Sequence, residues 1–182
     1  YADLSTRGWE LTLQWKDRFN MAGRPFNYSV RATLADHYSV IDKYNNATMS
    51  LTTSNGGGYY KGKRLGEIWG FVIDGLYQSQ AEIDEDMAKA NAAGQSRYNT
   101  LMQNSSNWKM YPGDVRVKDL DGNGYISRGK NTVDDPGDRK VIGNSEPRYI
   151  YSFGLNADWN GIYLSAFFQG VGKQDWYPSS ES

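Results

Sequence analysis

Two stretches of the chain alternate between apolar and polar side chains. In the first, Trp9, Leu11, Leu13 and Trp15 alternate with Glu10, Thr12, Gln14 and Lys16. After a turn within Asn20 to Pro25, Phe26, Tyr28, Val30, Ala32 and Leu34 alternate with Asn27, Ser29, Arg31 and Thr33. In the second, Tyr149, Tyr151, Phe153, Leu155, Ala157 and Trp159 fall on one face, and Ile150, Ser152, Gly154, Asn156 and Asp158 on the other. The return run past Asn160-Gly161 puts Ile162, Leu164, Ala166 and Phe168 on one side. Period-two alternation predicts strands, and Asn-Gly between two such runs is the strongest short-range hairpin signal. Each stretch therefore predicts an antiparallel hairpin with one apolar face, and both turns fall at the same end of one sheet. Runs of roughly 9 to 11 residues match what a tilted strand needs to cross a bilayer. Trp9, Phe19, Phe26 and Trp159, near the strand ends, suit interfacial aromatic girdles. A soluble sheet covering one face of a core alternates in the same way and is the commoner case, so periodicity alone favours it.

Between the hairpins lies an insertion over 36–147, too long for a structureless connection in a compact domain. It opens with a flexible loop at 52–58. A short strand with a turn follows over Glu67 to Tyr77. Ser79 and Glu82 have capping-box spacing, and Glu82, Asp84, Glu85 and Asp86 crowd the first turn, where the helix dipole favours acids. The helical pattern runs to about Asn91, is interrupted by Gly94, and resumes over Ser96 to Met102, so helix is expected near 80–102. The organisation is then hairpin strands over 1–35, the insertion over 36–147, hairpin strands over 148–172 and a tail over 173–182. The fold class expected is mainly β with a small α part.

Composition narrows the function classes. The 182 residues are only 38% hydrophobic yet hold 14 tyrosines, 6 tryptophans and 20 glycines, a mixture typical of turn-rich secreted or outer-membrane β proteins. A net charge of -1 argues against a broad nucleic-acid or anionic-lipid surface. The absence of cysteine excludes disulfides, thiolate zinc sites and cysteine nucleophiles. No apolar run approaches the roughly 20 residues of a membrane helix, which leaves a β-barrel open. The ragged ends of the chain suggest a piece of a longer protein.

The sharpest local motif is Asp119-Leu120-Asp121-Gly122-Asn123-Gly124-Tyr125-Ile126-Ser127. Oxygen ligands from Asp119, Asp121, Asn123, the Tyr125 backbone and Ser127 match the start of an EF-hand-type calcium loop, with Ile126 anchoring it in a core. Lys130 stands where the bidentate acid belongs. Asp134, Asp135 or Asp138 supplies the missing ligand only if the residues between loop out, and metal-free Asx turns share the pattern. Gly57 to Lys63 matches a phosphate-binding loop, but Arg64 replaces the hydroxyl residue that holds magnesium. His37, the only histidine, reads as a surface residue, and Asp134-Asp135 as a solvated loop. No catalytic constellation stands out, so a non-enzymatic protein is expected.

Taken in order, the motifs resemble a known family. They are Gly8-Trp9-Glu10-Leu11, Leu65-Gly66-Glu67-Ile68-Trp69-Gly70-Phe71, Asp74-Gly75-Leu76-Tyr77-Gln78-Ser79, the run from Pro112 to Gly124, Val141-Ile142-Gly143-Asn144, Pro147-Arg148-Tyr149, and Leu164 to Gly170. Together they are similar to the C-terminal barrel region of SusC/RagA-type TonB-linked outer-membrane transporters, over essentially the whole chain. The chain departs by longer stretches at Asp84–Tyr111 and Ser127–Arg139, where the family reaches an Asp-Arg soon after the glycine loop. The resemblance implies transmembrane barrel wall for the hairpins and an extracellular position for the insertion. It also implies import of glycans or peptides with a SusD-like surface lipoprotein, energised by TonB through a plug that lies outside these residues. Tyr59, Tyr60, Trp69, Tyr77 and Trp108 become candidate contacts to lipoprotein or glycan. The alternative is a secreted β-rich carbohydrate-binding module, stabilised by calcium. Four strands do not close a barrel, so the isolated chain is expected to self-associate or to fold its loop region onto the strand faces.

Overall fold

The computed structural model describes residues 2–51, 58–99 and 109–177. They form two compact units, one of Asp3–Asp42, Arg64–Gly66 and Asn144–Ser182, the other of Tyr1–Ala2, Lys43–Lys63 and Glu67–Gly143. The architecture is mainly β, with antiparallel sheets and one short helix, and no sheet closes into a barrel among the described residues.

The first unit is a four-stranded sheet in the order β1 (Asp3–Met21), β2 (Arg24–Lys43), β7 (Arg148–Trp159), β8 (Ile162–Lys173). Both hairpins turn in two residues. Ala22 and Gly23 have φ of 52° and 78°, Asn160 and Gly161 φ of 51° and 83°, the left-handed pairs whose twist suits a tight hairpin. The two turns meet at one end of the sheet, where Arg24 donates to the Asn160 side chain and Trp159 Nε1 donates to the Met21 carbonyl at 3.1 Å.

The register bears out the predicted faces. Val30, Leu155 and Ala166 lie side by side, as do Ala32, Phe153 and Phe168. Contacts of Thr6 with Ser39 and of Phe19 with Phe26 put Leu11, Leu13 and Trp15 on the same apolar face. The opposite face carries a hydrogen-bonded polar ladder. Asn27 donates to Asp158 at 3.0 Å, Thr33 and Ser152 share a bond of 2.6 Å, and Ser165 donates to Asn156 at 2.8 Å.

Two expectations change. β1 and β2 run for 19 and 20 residues, well beyond 9 to 11, and β2 continues past position 35 to Lys43. β1 accompanies β2 over this extension, with Thr6 beside Ser39 and Ser5 donating to Asp42, and on the other side, where β7 ends, Val40 bridges Arg64 and Leu65 N donates to the Ser39 carbonyl. The helix α1 spans Gln80–Ala92, and Ser96–Asn99 is not helical; residues 100–102 lie outside the described residues. Gly94, at φ 76°, is where it stops. Its N–H bonds Asn91 O and that of Gln95 bonds Ala90 O, which is the Schellman pattern.

In the second unit β3 (Glu67–Phe71) pairs with β6 (Arg139–Asn144), and β4 (Ile73–Leu76) pairs antiparallel with β5 (Val115–Val117). Ser79 caps α1 by accepting from Glu82 N, while the Glu82 carboxylate accepts from Gln78 N at 2.8 Å. One core gathers Tyr77, Ile83, Ala90, Tyr98, Met110, Val117 and Ile126; a smaller one gathers Leu51, Tyr60 and Trp69.

Candidate functional site: the acidic loop and the aromatics of the insertion

The glycine loop folds around its own carboxylates. Asp119 accepts from Gly122 N at 2.7 Å and from Gly124 N at 2.8 Å, and Asp121 accepts from Asn123 N at 3.0 Å and Asn123 Nδ2 at 2.9 Å. Asn123 Oδ1 accepts from Tyr125 N at 3.0 Å, and Ser127 Oγ from Gly129 N at 3.1 Å. Gly124 sits with φ at 90°, a conformation side chains rarely adopt, and a Cβ there would lie 3.2 Å from the Lys89 carbonyl at the end of α1. Ile126 is fully buried, as its position in the motif predicts.

Of the three acids that sequence left open, the structure brings in Asp138. The stretch from Arg128 to Gly137 loops out and is pinched at its base. Asp138 N donates to the Ser127 carbonyl at 3.1 Å, and a Cβ on Gly137 would lie 2.4 Å from Gly129 N. Asp138 is completely buried and accepts from Leu120 N and Ser127 N, both at 2.7 Å. Its oxygens lie within 4.8 Å of ligand atoms of Asp119 and Asp121. Burial pushes the Asp138 carboxyl above its ordinary value, Asp121 nearby adds to this, and the backbone donors only partly offset it. The three carboxylates form an oxygen-only donor set, which suits a hard divalent cation such as calcium. Asp134 is exposed and the Asp135 carboxylate lies 3.9 Å from Lys130 Nζ; neither belongs to the cluster.

Next to Asp138, Arg139 is 2% exposed and binds the other side of the excursion, donating to Pro136 O and Asn131 Oδ1. Adjacent residues thus close the loop by gathering N–H groups with one side chain and oxygens with the other. Asp86, read from sequence only as a first-turn acid, proves to be the buried hub of α1. It accepts from Arg116 Nε and Nη2 and from Lys89 Nζ, each at 2.9 Å, and from the Tyr77 hydroxyl at 3.0 Å. Burial alone would raise its pKa, but these donors outweigh it and hold the carboxyl below its ordinary value. Lys89 is the one local partner; the Arg116 pair that makes Asp86 a hub is 30 residues away.

The candidate aromatics divide by burial. Tyr60, Trp69 and Tyr77 are 5%, 8% and 1% exposed and belong to the cores. Trp69 Nε1 donates to the Tyr60 hydroxyl at 3.2 Å, which donates to Glu67 at 2.6 Å. Tyr59 is half exposed, and Trp108 lies outside the described residues. Lys63 of the glycine-rich segment is buried and donates to Gly58 O at 2.7 Å, which makes it a structural residue here; Gly57 is outside the described residues. His37 is exposed.

Several motif residues meet in one knot of the sheet unit. Asn144 Nδ2 donates to Leu65 O at 2.9 Å, its Oδ1 accepts from Glu146 N, and Ser145 N donates to Gly66 O at 2.8 Å. Arg148 forks onto Asp36 with two bonds of 2.5 Å, and a Cβ on Gly8 would strike His37 and the Asp36 carbonyl. Each of these contacts holds backbone in place. No protein-family model matches this chain, and no curated protein matches it either.

Proposed function

We propose that the chain is a section of a SusC/RagA-type, TonB-dependent outer-membrane transporter that imports glycans or peptides together with a SusD-like lipoprotein. The four-stranded sheet is barrel wall, its short turns face the periplasm, and the insertion faces outside. One observation carries this reading: the apolar face of the sheet is uncovered, while the opposite face, which also carries Ile150, Tyr163, Phe167 and Val171, holds an ordered polar ladder. Leu13, Leu164 and Phe168 are 62%, 55% and 60% exposed. Trp9, Leu11, Trp15, Phe19, Tyr151, Phe153 and Ile162 are 40% exposed or more. At about 100 Å² for each half-exposed side chain of this size, ten such residues present roughly 1,000 Å² of apolar surface. The largest apolar patch on a typical soluble monomer is about 300–600 Å². Lipid-facing walls of outer-membrane barrels pair such a face with a polar lumen, short periplasmic turns and long outer loops. Calcium at Asp119, Asp121 and Asp138 would stiffen the insertion without taking part in transport.

The test is the gene that encodes the chain. Several hundred residues before Tyr1, with a plug and further alternating strands, support the proposal. A signal peptide directly before Tyr1 overturns it in favour of a secreted binding module.

A further inference from the structure

At the end of the sheet away from its turns, we infer a site for the phosphoethanolamine head group of a phospholipid, built on Arg7 and Asp42. The inference rests on the lipid-facing reading of the apolar face for its setting, and on local geometry for its chemistry. Ser5, Arg7, Tyr38, Val40 and Asp42 line a hollow of about 210 Å³. The bond between Thr6 and Ser39 lies on the polar face, so their neighbours Ser5 and Arg7 on β1, with Tyr38 and Val40 on β2, share the face of Leu11 and Leu34. The hollow therefore opens directly onto the uncovered apolar band.

Opposite charges stand apart within it. Arg7 is exposed and has neither an ion pair nor a side-chain hydrogen bond among the described residues. Asp42 is exposed, accepts from the Ser5 hydroxyl, and pairs with no cation among the described residues. A cation and an anion that share one hollow without pairing suit a ligand that carries both charges. Phosphate oxygens meet the Arg7 guanidinium, and ammonium N–H groups meet the Asp42 carboxylate. Tyr38 favours a primary ammonium over choline. The Arg64 guanidinium lies 4.7 Å from its ring centroid and that of Arg148 5.9 Å, so the ring is already engaged and offers no cage to a quaternary ammonium.

Depth places the hollow among head groups. Trp9 and Tyr151, 50% and 46% exposed, stand where tryptophan and tyrosine mark a membrane interface. Arg7 is two residues past Trp9, about 7 Å along a strand. The polar layer on each side of a bilayer is about 5–7 Å deep. A phosphate held at Arg7 sends its acyl chains down past Trp9, Leu11 and Leu13, whereas a free zwitterion gains none of that contact.

Tryptophan quenching by lipids with brominated acyl chains, on the whole chain in phosphatidylcholine vesicles, tests this. Phosphatidylethanolamine carries both charges, phosphatidylglycerol the phosphate alone, and diacylglycerol neither. Relative affinity is expected to fall in that order, about threefold at each step, the worth of one exposed charge contact. Arg7→Gln should erase the step between phosphatidylglycerol and diacylglycerol, and Asp42→Asn the step between phosphatidylethanolamine and phosphatidylglycerol. Arg7→Lys and the opposite-face control Arg31→Gln should keep both steps. Circular dichroism shows that the variants keep their strands. Equal quenching by all three lipids, or steps indifferent to both charge-removing variants, overturns the site and leaves the lipid-facing reading standing. Phosphatidylglycerol binding as well as phosphatidylethanolamine overturns the zwitterion in favour of a bare phosphate. No quenching by any brominated lipid overturns the site and the lipid-facing reading together.

Discussion

The buried carboxylate of Asp86 offers the firmest energetic prediction. Replacing Asp86 with Asn keeps the shape but removes the charge that two hydrogen bonds from Arg116, one from Lys89 and one from Tyr77 converge on. Breaking a buried ion pair from one side costs about 3–5 kcal/mol. The Arg116 and Lys89 side chains are 26% and 48% exposed and can regain water, so the low end, about 3 kcal/mol, is expected. Native-state hydrogen exchange on the α1 and β5 amides reads this locally, and about 3 kcal/mol appears as a roughly hundredfold faster exchange. Removing both charges, with Asp86→Leu and Arg116→Met together, recovers most of the loss. Only the Tyr77 hydroxyl then stays unpaired, at about 1–2 kcal/mol. The sign with pH follows from the lowered carboxyl. The stability Asp86 contributes is fully present above the unfolded aspartate value near 3.9 and is lost as pH falls through its lower folded value. Asp138, whose carboxyl is raised, acts oppositely, and its contribution is lost as pH rises through its folded value. The difference between wild type and Asp86→Asn therefore isolates the acid-side loss. Unchanged exchange in Asp86→Asn at neutral pH, with the fold intact, would refute the assignment of Asp86 as the hub.

Calcium is expected to bind the cluster of Asp119, Asp121 and Asp138. Isothermal titration should give heat at millimolar calcium and raise the melting temperature, and Asp138→Asn should abolish both; no heat and no shift remove the site. Gly137→Ala should destabilise the excursion by about 2 kcal/mol or more, since φ is 60° and a Cβ would sit 2.4 Å from Gly129 N. Faster exchange confined to 127–139 is the readout, and wild-type exchange there would contradict the close approach. In detergent-free buffer the isolated chain should self-associate through its uncovered apolar face, and sedimentation as a stable open-sheeted monomer counts against the lipid-facing reading.

How far the sequence reaches depends on the range of the interaction. Apolar alternation and the Asn160-Gly161 turn were sufficient for both faces of the hairpins, because side-chain direction in a strand depends only on parity. Ser79, Glu82 and Gly94 marked the helix ends for a similar reason, as capping is made within four residues. The second helical piece failed at Ser96–Asn99 because Asn99 bridges Ile126 instead, a partner that local propensity does not contain. The length of β2 was missed in the same way, since Arg64 and Leu65 flank its extension from elsewhere in the chain.

The sequence by itself therefore determined the antiparallel hairpins, their apolar faces, the capped helix and the carboxylate-bearing glycine loop. The tertiary structure alone decided which acid closes that loop, which tyrosines stay at the surface, and that Asp86 is a buried hub. The acid and the hub depend on burial and on hydrogen-bonding partners 9 to 30 residues away, the tyrosines on burial alone. Burial and long-range pairing are properties of the packed chain, not of any window along it.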